Sequence, residues 1–130
     1  MTKSRLALSV AFATFLPAAG AMSDPIMECP GSSQVEIGEC LAKTEELANL
    51  SLQTALEIAR NAATELDTVT GRSVVLPALE EGHKTWSAYR DAHCDYIGAN
   101  FGGGSGTGLG IRACRIELTR DRVASLMNAL

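Results

Sequence analysis

Aromatic residues and strand-like segments are scarce in this chain. Aromatic side chains make up 5% of its 130 residues: one Trp, two Tyr and three Phe. No run alternates apolar and polar residues long enough to read as a strand, and no internal repeat occurs. What remains is helical patterning, so an all-α fold is expected. Only two histidines are present. No C-x-x-C or H-x-x-x-H pairing exists, which removes zinc on spacing. The many glycines fit neither G-x-x-x-x-G-K-[ST] nor G-x-G-x-x-G, and no strand precedes them, which removes a phosphate cradle. No metal and no cofactor is expected.

Long apolar runs are also short in supply. The single one begins after Lys3 and Arg5, extends from Leu6 to Ala19 and is broken by Pro17. Ala19-Gly20-Ala21 then supplies small residues at the spacing of a signal-peptidase site. The expectation is a signal peptide over residues 1–21, cleavage after Ala21 and a mature domain over 22–130. Export to the periplasm or the medium follows. The run is too short for a confident membrane span, and no second one follows it. Lipid attachment at Cys29 is disfavoured because Ile26-Met27-Glu28 precede it and Glu28 is neither small nor apolar.

Basic charge is scarce once the leader is gone. The chain carries 11 Lys and Arg against 15 Asp and Glu, a net −4. Losing Lys3 and Arg5 makes the remainder −6. That argues against nucleic acid and anionic lipid surfaces. It permits a basic protein partner, and it also aids solubility.

Four cysteines behind a signal peptide are an even set in an oxidising compartment. They read as two disulfides among Cys29, Cys40, Cys94 and Cys114. One scheme joins Cys94 to Cys114 across the glycine-rich segment and Cys29 to Cys40 beside the N-terminal arm. A crossed scheme joins Cys40 to Cys94 and Cys29 to Cys114, because a helical hairpin brings Cys40 towards Cys94.

Three helices account for the mature chain, packed as a small antiparallel bundle with a long first member. An arm with Pro25 and Pro30 leads to Ser33, an N-cap with Glu36 three residues on. Apolar residues then recur at helical spacing to about Leu66: Cys40/Leu41, Thr44, Leu47/Ala48, Ser51, Ala55, Ile58/Ala59 and Ala62. Asp67 to Arg72 reads as a turn with Gly71 at its left-handed position. Pro77 marks the start of a second helix running to about Ile97, with Val74 and Val75 in the connection. Gly82 inside it suggests a close crossing with the alanine stripe of the first helix. From Gly98 to Gly110, seven of thirteen residues are glycine. This reads as an irregular loop between the second and third helices, with Phe101 as its large apolar residue. The third helix begins near Leu109 to Arg112, with Ile111, Cys114, Leu118, Arg122, Leu126 and Leu130 along its apolar edge.

The densest chemistry lies in Trp86-Ser-Ala-Tyr89-Arg90-Asp91-Ala-His93-Cys94. Trp86, Arg90 and Cys94 share one helical face, which reads as an anchor, a charge partner and a staple. Trp86, Tyr89, Arg90, Asp91 and Arg122 are therefore assigned to a structural network, with Arg122, Glu39 or loop carbonyls as partners for Arg90. Arg112, Arg115 and Arg120 read as a solvated face, as do Glu45-Glu46 and Glu80-Glu81. No elbow motif surrounds Ser105, and neither His83 nor His93 has a triad pattern, so no catalytic residue is assigned.

These residues, in order, carry a resemblance. Glu39-Cys40 is followed by Trp86-x-x-Tyr89-Arg90-Asp91-x-x-Cys94 and then by Gly103-Gly104-Ser105. Cys114-x-x-x-Leu118-Thr119-x-x-Arg122-x-x-x-Leu126 closes the set. The pattern, spanning about residues 29–126, resembles the lysozyme inhibitor LprI-like N-terminal domain family. That resemblance implies an all-α, disulfide-stapled bacterial envelope protein, and a binding protein rather than an enzyme. The chain departs from the family in lacking the lipid-attachment Cys of some members and in having Gly82-His83 before the Trp. Two functions follow. In one, the domain blocks lysozyme, a basic enzyme, with Phe101, Gly103, Gly104 and Ser105 as the candidate partner-binding loop. In the other, it is a structural or accessory envelope protein with no lysozyme contact.

Overall fold

In the computed structural model, which describes residues 24–130, the chain folds around one helix of 37 residues. The expected signal segment, 1–21, lies outside the described residues. A single turn, α1 (Pro25–Glu28), precedes the long α2 (Gln34–Thr70); α3 (Val75–Ala99) and α4 (Thr107–Asn128) follow. Consecutive long helices run antiparallel, so α4 returns alongside α2. At 1.5 Å per residue, α2 is about 55 Å long and overhangs the shorter α4. The all-α, three-helix architecture expected from the sequence is the one formed, with α1 as an addition within the arm.

Ser33 starts α2 as its sequence foretells: its hydroxyl accepts the Glu36 N–H at 3.2 Å. The Glu36 carboxylate reaches one residue further back than a standard capping box. It accepts the Ser32 N–H at 2.8 Å and the Ser32 hydroxyl at 2.9 Å, and these bonds hold its pKa below the usual range. At the other end Gly71 adopts φ 65°. Its N–H donates to the Thr68 carbonyl, and the Arg72 N–H donates to the Asp67 carbonyl at 3.1 Å. That pair of bonds is a Schellman ending.

The sequence placed Asp67 in the turn, but it belongs to the last turn of α2. From there its carboxylate caps the next helix. Oδ1 accepts the N–H groups of Val74 and Val75 at 3.1 and 2.9 Å, and Oδ2 accepts that of Leu76 at 3.1 Å. Val75 is thereby the first residue of α3 rather than part of the connection. Pro77, third in the helix, has no N–H to orphan there.

Both disulfides follow the uncrossed scheme, Cys29–Cys40 and Cys94–Cys114. Their Cα–Cα distances are 5.7 and 5.5 Å. Cys29–Cys40 clips α1 against the first turns of α2. Cys94–Cys114 ties the end of α3 to the start of α4. Both staples therefore sit at the same end of the bundle.

The core is thin and divided. Near the stapled end, Cys29, Leu41 and Ile116 are buried together, with Ile26, Ile37 and Leu109 around them. Further along, Leu52, Ala55, Leu56, Ala59 and Leu126 form a second cluster, against which Leu79, Trp86 and Val123 pack. The sequence stripe named Leu47, Ser51, Ile58 and Leu66 for α2; these are exposed, and Leu52 and Leu56 are buried in their place. On α4 the buried line runs through Ala113, Ile116, Thr119 and Leu126, while Leu130 is exposed.

Two glycine expectations are corrected. Gly82 makes no close crossing: a Cβ there would meet nothing within 4 Å. Gly98 does, since its Cβ would lie 2.5 Å from Cγ1 of Ile111. The irregular segment is also shorter than expected. Gly98 belongs to α3, and Gly108 and Gly110 belong to α4, leaving residues 100–106 between the helices.

Candidate binding surface

Between the two core clusters lies a polar layer centred on Arg90. Its Nη1 donates to Asn49 Oδ1 at 3.3 Å and to Thr119 Oγ1 at 3.2 Å. Its Nε donates to Asp91 Oδ1 at 3.1 Å. Thr119 is 1% exposed. A largely buried guanidinium needs several acceptors, and three helices supply them here. The expected partners Glu39, Arg122 and the loop carbonyls are not among these acceptors. Arg122 takes part differently: its guanidinium carbon lies 5.9 Å from the Trp86 ring centroid, and that of Arg90 lies 5.3 Å from it. His83 stacks on the same ring at 5.7 Å. Burial pushes the His83 pKa below its ordinary value, and Arg122, Arg60 and Arg90 add to that shift against the opposing pull of Glu80. Trp86, Arg90, Asp91 and Arg122 thus sit within one packed assembly. Tyr89 stands outside it, 54% exposed and stacked on His93 at 5.4 Å.

The α4 arginines form no free solvated face. Arg112 donates to Glu45 Oε2 at 2.7 Å. Arg120 grips Glu28 with two bonds of 2.9 and 2.8 Å, which lower the Glu28 pKa. Arg115 lies within 4.0 Å of carboxylate oxygens of Glu45, Asp91 and Asp95. Glu80 is likewise held by Arg60 at 2.6 Å. Each of these cations is spent on an internal carboxylate. Glu39, Glu46 and Glu57, spaced to share the outer face of α2, have no such partner among the described ion pairs. Much of the positive charge is therefore met within the molecule, while Glu39, Glu46 and Glu57 remain exposed, as do Lys43, Arg72 and Lys84.

Phe101, Gly103, Gly104 and Ser105 lie together in the connection after α3. The chain closes there in successive turns, with the Gly104 N–H donating to the Phe101 carbonyl at 3.1 Å and the Thr107 N–H to the Gly104 carbonyl at 3.1 Å. Gly102 and Gly103 take φ 62° and 78°, conformations that exclude most side chains. Phe101 does not project freely. Its ring folds back on the first turn of α4, so close to Gly106 and Gly110 that a Cβ at Gly110 would collide with it. It still exposes 47% of its surface and forms one end of an open groove of about 260 Å³ between α3 and α4.

His93, Ile97, Ala113 and Leu118 line that groove, and Asp24 and Glu117 stand on its edge. Partial desolvation raises the Glu117 pKa, and the charges of Asp24 and Asp121 raise it further, against a lowering by Arg120. Asp24, Ile97 and Glu117 were not picked out from the sequence. Their meeting depends on α1 crossing α4, which no local pattern announces. Among the described residues, no three His, Cys, Asp or Glu gather as a metal would need, and no helix is long and apolar enough to cross a membrane.

With this geometry the comparisons with known proteins agree. A family model described as Lysozyme inhibitor LprI matches residues 27–126. That span covers most of the chain and takes in α2, α3, both staples and nearly all of α4. The protein belongs to the lysozyme inhibitor LprI family. It is also similar to an uncharacterized protein of Rhizobium meliloti (strain 1021), 29% identical over 126 residues, covering 92% of this chain and 89% of the relative. No solved structure matches.

Proposed function

We propose that the protein is exported and binds a lysozyme, blocking it by surface contact and without chemistry of its own. The observation that carries this reading is the family match across both disulfides and the whole three-helix body. The charge pattern supports it. Residues 22–130 carry a net −6, and the internal pairing of the α4 arginines leaves Glu39, Glu46 and Glu57 with no cation of α4 against them. Such a field steers a basic enzyme towards the domain. The basic, apolar leader and the small residues before Met22 support export to the periplasm or the medium.

The test is direct. Purified protein should lower the rate at which a basic lysozyme clears a suspension of bacterial cell walls. Association should slow as salt rises towards physiological strength, where the screening length is about 8 Å. Failure to form a complex with lysozymes of several types at low salt would sink this reading. It would leave an accessory role in the envelope.

A further inference from the structure

We propose that the groove between α3 and α4, floored by Ile97 and Leu118 and edged by Asp24 and Glu117, receives one arginine or lysine side chain of the partner protein. This rests on the binding reading above and assigns it a place on the molecule. At about 260 Å³ the groove falls below the usual size of a small-molecule site but suits a single long side chain. Its walls are apolar and aromatic, as the methylene stem of a basic residue requires. Its edge is anionic, as the charged head requires. Neither Asp24 nor Glu117 is held in an ion pair among the described residues: Arg120, the nearby cation, grips Glu28 through both terminal nitrogens and only partly offsets the Glu117 charge.

The aromatic residues point the same way. Of the four Phe, Tyr and Trp side chains among the described residues, three are about half exposed: Phe101, which lines the groove, and Tyr89 and Tyr96, which lie beyond its wall. His93, in the groove wall, stacks on Tyr89 at 5.4 Å and lies 6.3 Å from Tyr96. Phe101 closes the end, held there by glycines that leave room for its ring. Rings beside a desolvated cation attract it through their faces, and exposed aromatics in a pocket are the usual energetic centre of an interface. Other surfaces lack this combination. The groove at the far end, lined by Ala62, Leu66, Val75 and Leu130, has no polar side chain to select an occupant.

The measurement is equilibrium binding of the full mature protein to a basic lysozyme, compared among four proteins. Glu117→Gln and Phe101→Ala should each weaken binding by about tenfold or more. Glu65→Gln, at an exposed site near the far end of α2, changes net charge as much as Glu117→Gln does and should weaken binding less than about twofold. Glu117→Gln should also melt no lower than wild type at neutral pH, because it removes a charge that is partly desolvated and repelled by Asp24 and Asp121, so lost binding is not lost folding. Wild-type binding by both groove variants, or equal weakening by Glu117→Gln and Glu65→Gln, overturns the groove and leaves inhibition standing. No binding by the wild-type protein overturns the groove and the proposed function together.

Discussion

Two helical glycines in α3 respond to the same substitution in opposite directions. Gly82 faces open space, so Gly82→Ala relieves the entropic penalty of a helical glycine and should stabilise by about 0.5–1 kcal/mol. Gly98 backs onto Ile111, and Gly98→Ala must displace a branched side chain, costing about 1–3 kcal/mol. Chemical denaturation of the two variants checks the pair; equal shifts would mean that α3 and α4 are not in close contact at Gly98. His83 provides a titration at the same scale. An unfolded histidine titrates near 6.5, and burial, with Arg122 and Arg60 nearby, holds folded His83 lower. Between those two values the unfolded chain binds a proton that the folded chain refuses. Stability should therefore fall as pH drops below about 6.5 and level off once folded His83 protonates. Melting temperatures of His83→Gln should lose that limb of the profile, and an unaltered limb would assign it to another group.

At the level of elements, local signals carried far and contact-dependent ones did not. Ser33 and Gly71 marked the ends of α2 because caps act within a few residues. Pro77 marked the start of α3 to within its first turn. The phase of the helices was harder to read. Apolar residues surround α2 on several sides, so a stripe through Leu47 and Ile58 was as periodic as the true one through Leu52 and Leu56. Only the neighbouring helices decide between them. The pairing of Arg112 with Glu45 spans 67 residues, beyond any local pattern, and so an apparently solvated row proved to be a set of cross-ties. Asp67 shows the same limit: its place in α2 was misread by a few residues, and its role as the cap of α3 was not foreseen. Asp67→Ala should lower the melting temperature and speed amide exchange at Val74, Val75 and Leu76. The bonds to those amides hold the Asp67 pKa below its ordinary 3.8, so this contribution is present above that value and fades as pH falls through the lower folded one. Unchanged exchange at the three amides would show that the cap is not formed in solution.

For the molecule as a whole, the placement of the staples decides what holds the two halves of the chain together. Cys29–Cys40 closes within the segment before the Gly71 turn, and Cys94–Cys114 closes within the segment after it. No covalent bond other than the backbone joins α2 to α3 and α4. A protease that nicked the exposed turn at 71–74 would leave two pieces, each still carrying an intact disulfide, held only by a thin core and a few ion pairs. Under denaturing, non-reducing electrophoresis the nicked protein should run as two bands, whereas a crossed scheme would keep it as one. The cut would also part the acidic outer face of α2 from most of the aromatic groove on α3 and α4. For a protein proposed to work outside the cytoplasm, one hydrolysed peptide bond at the hairpin tip would then be an off-switch that needs no reductant.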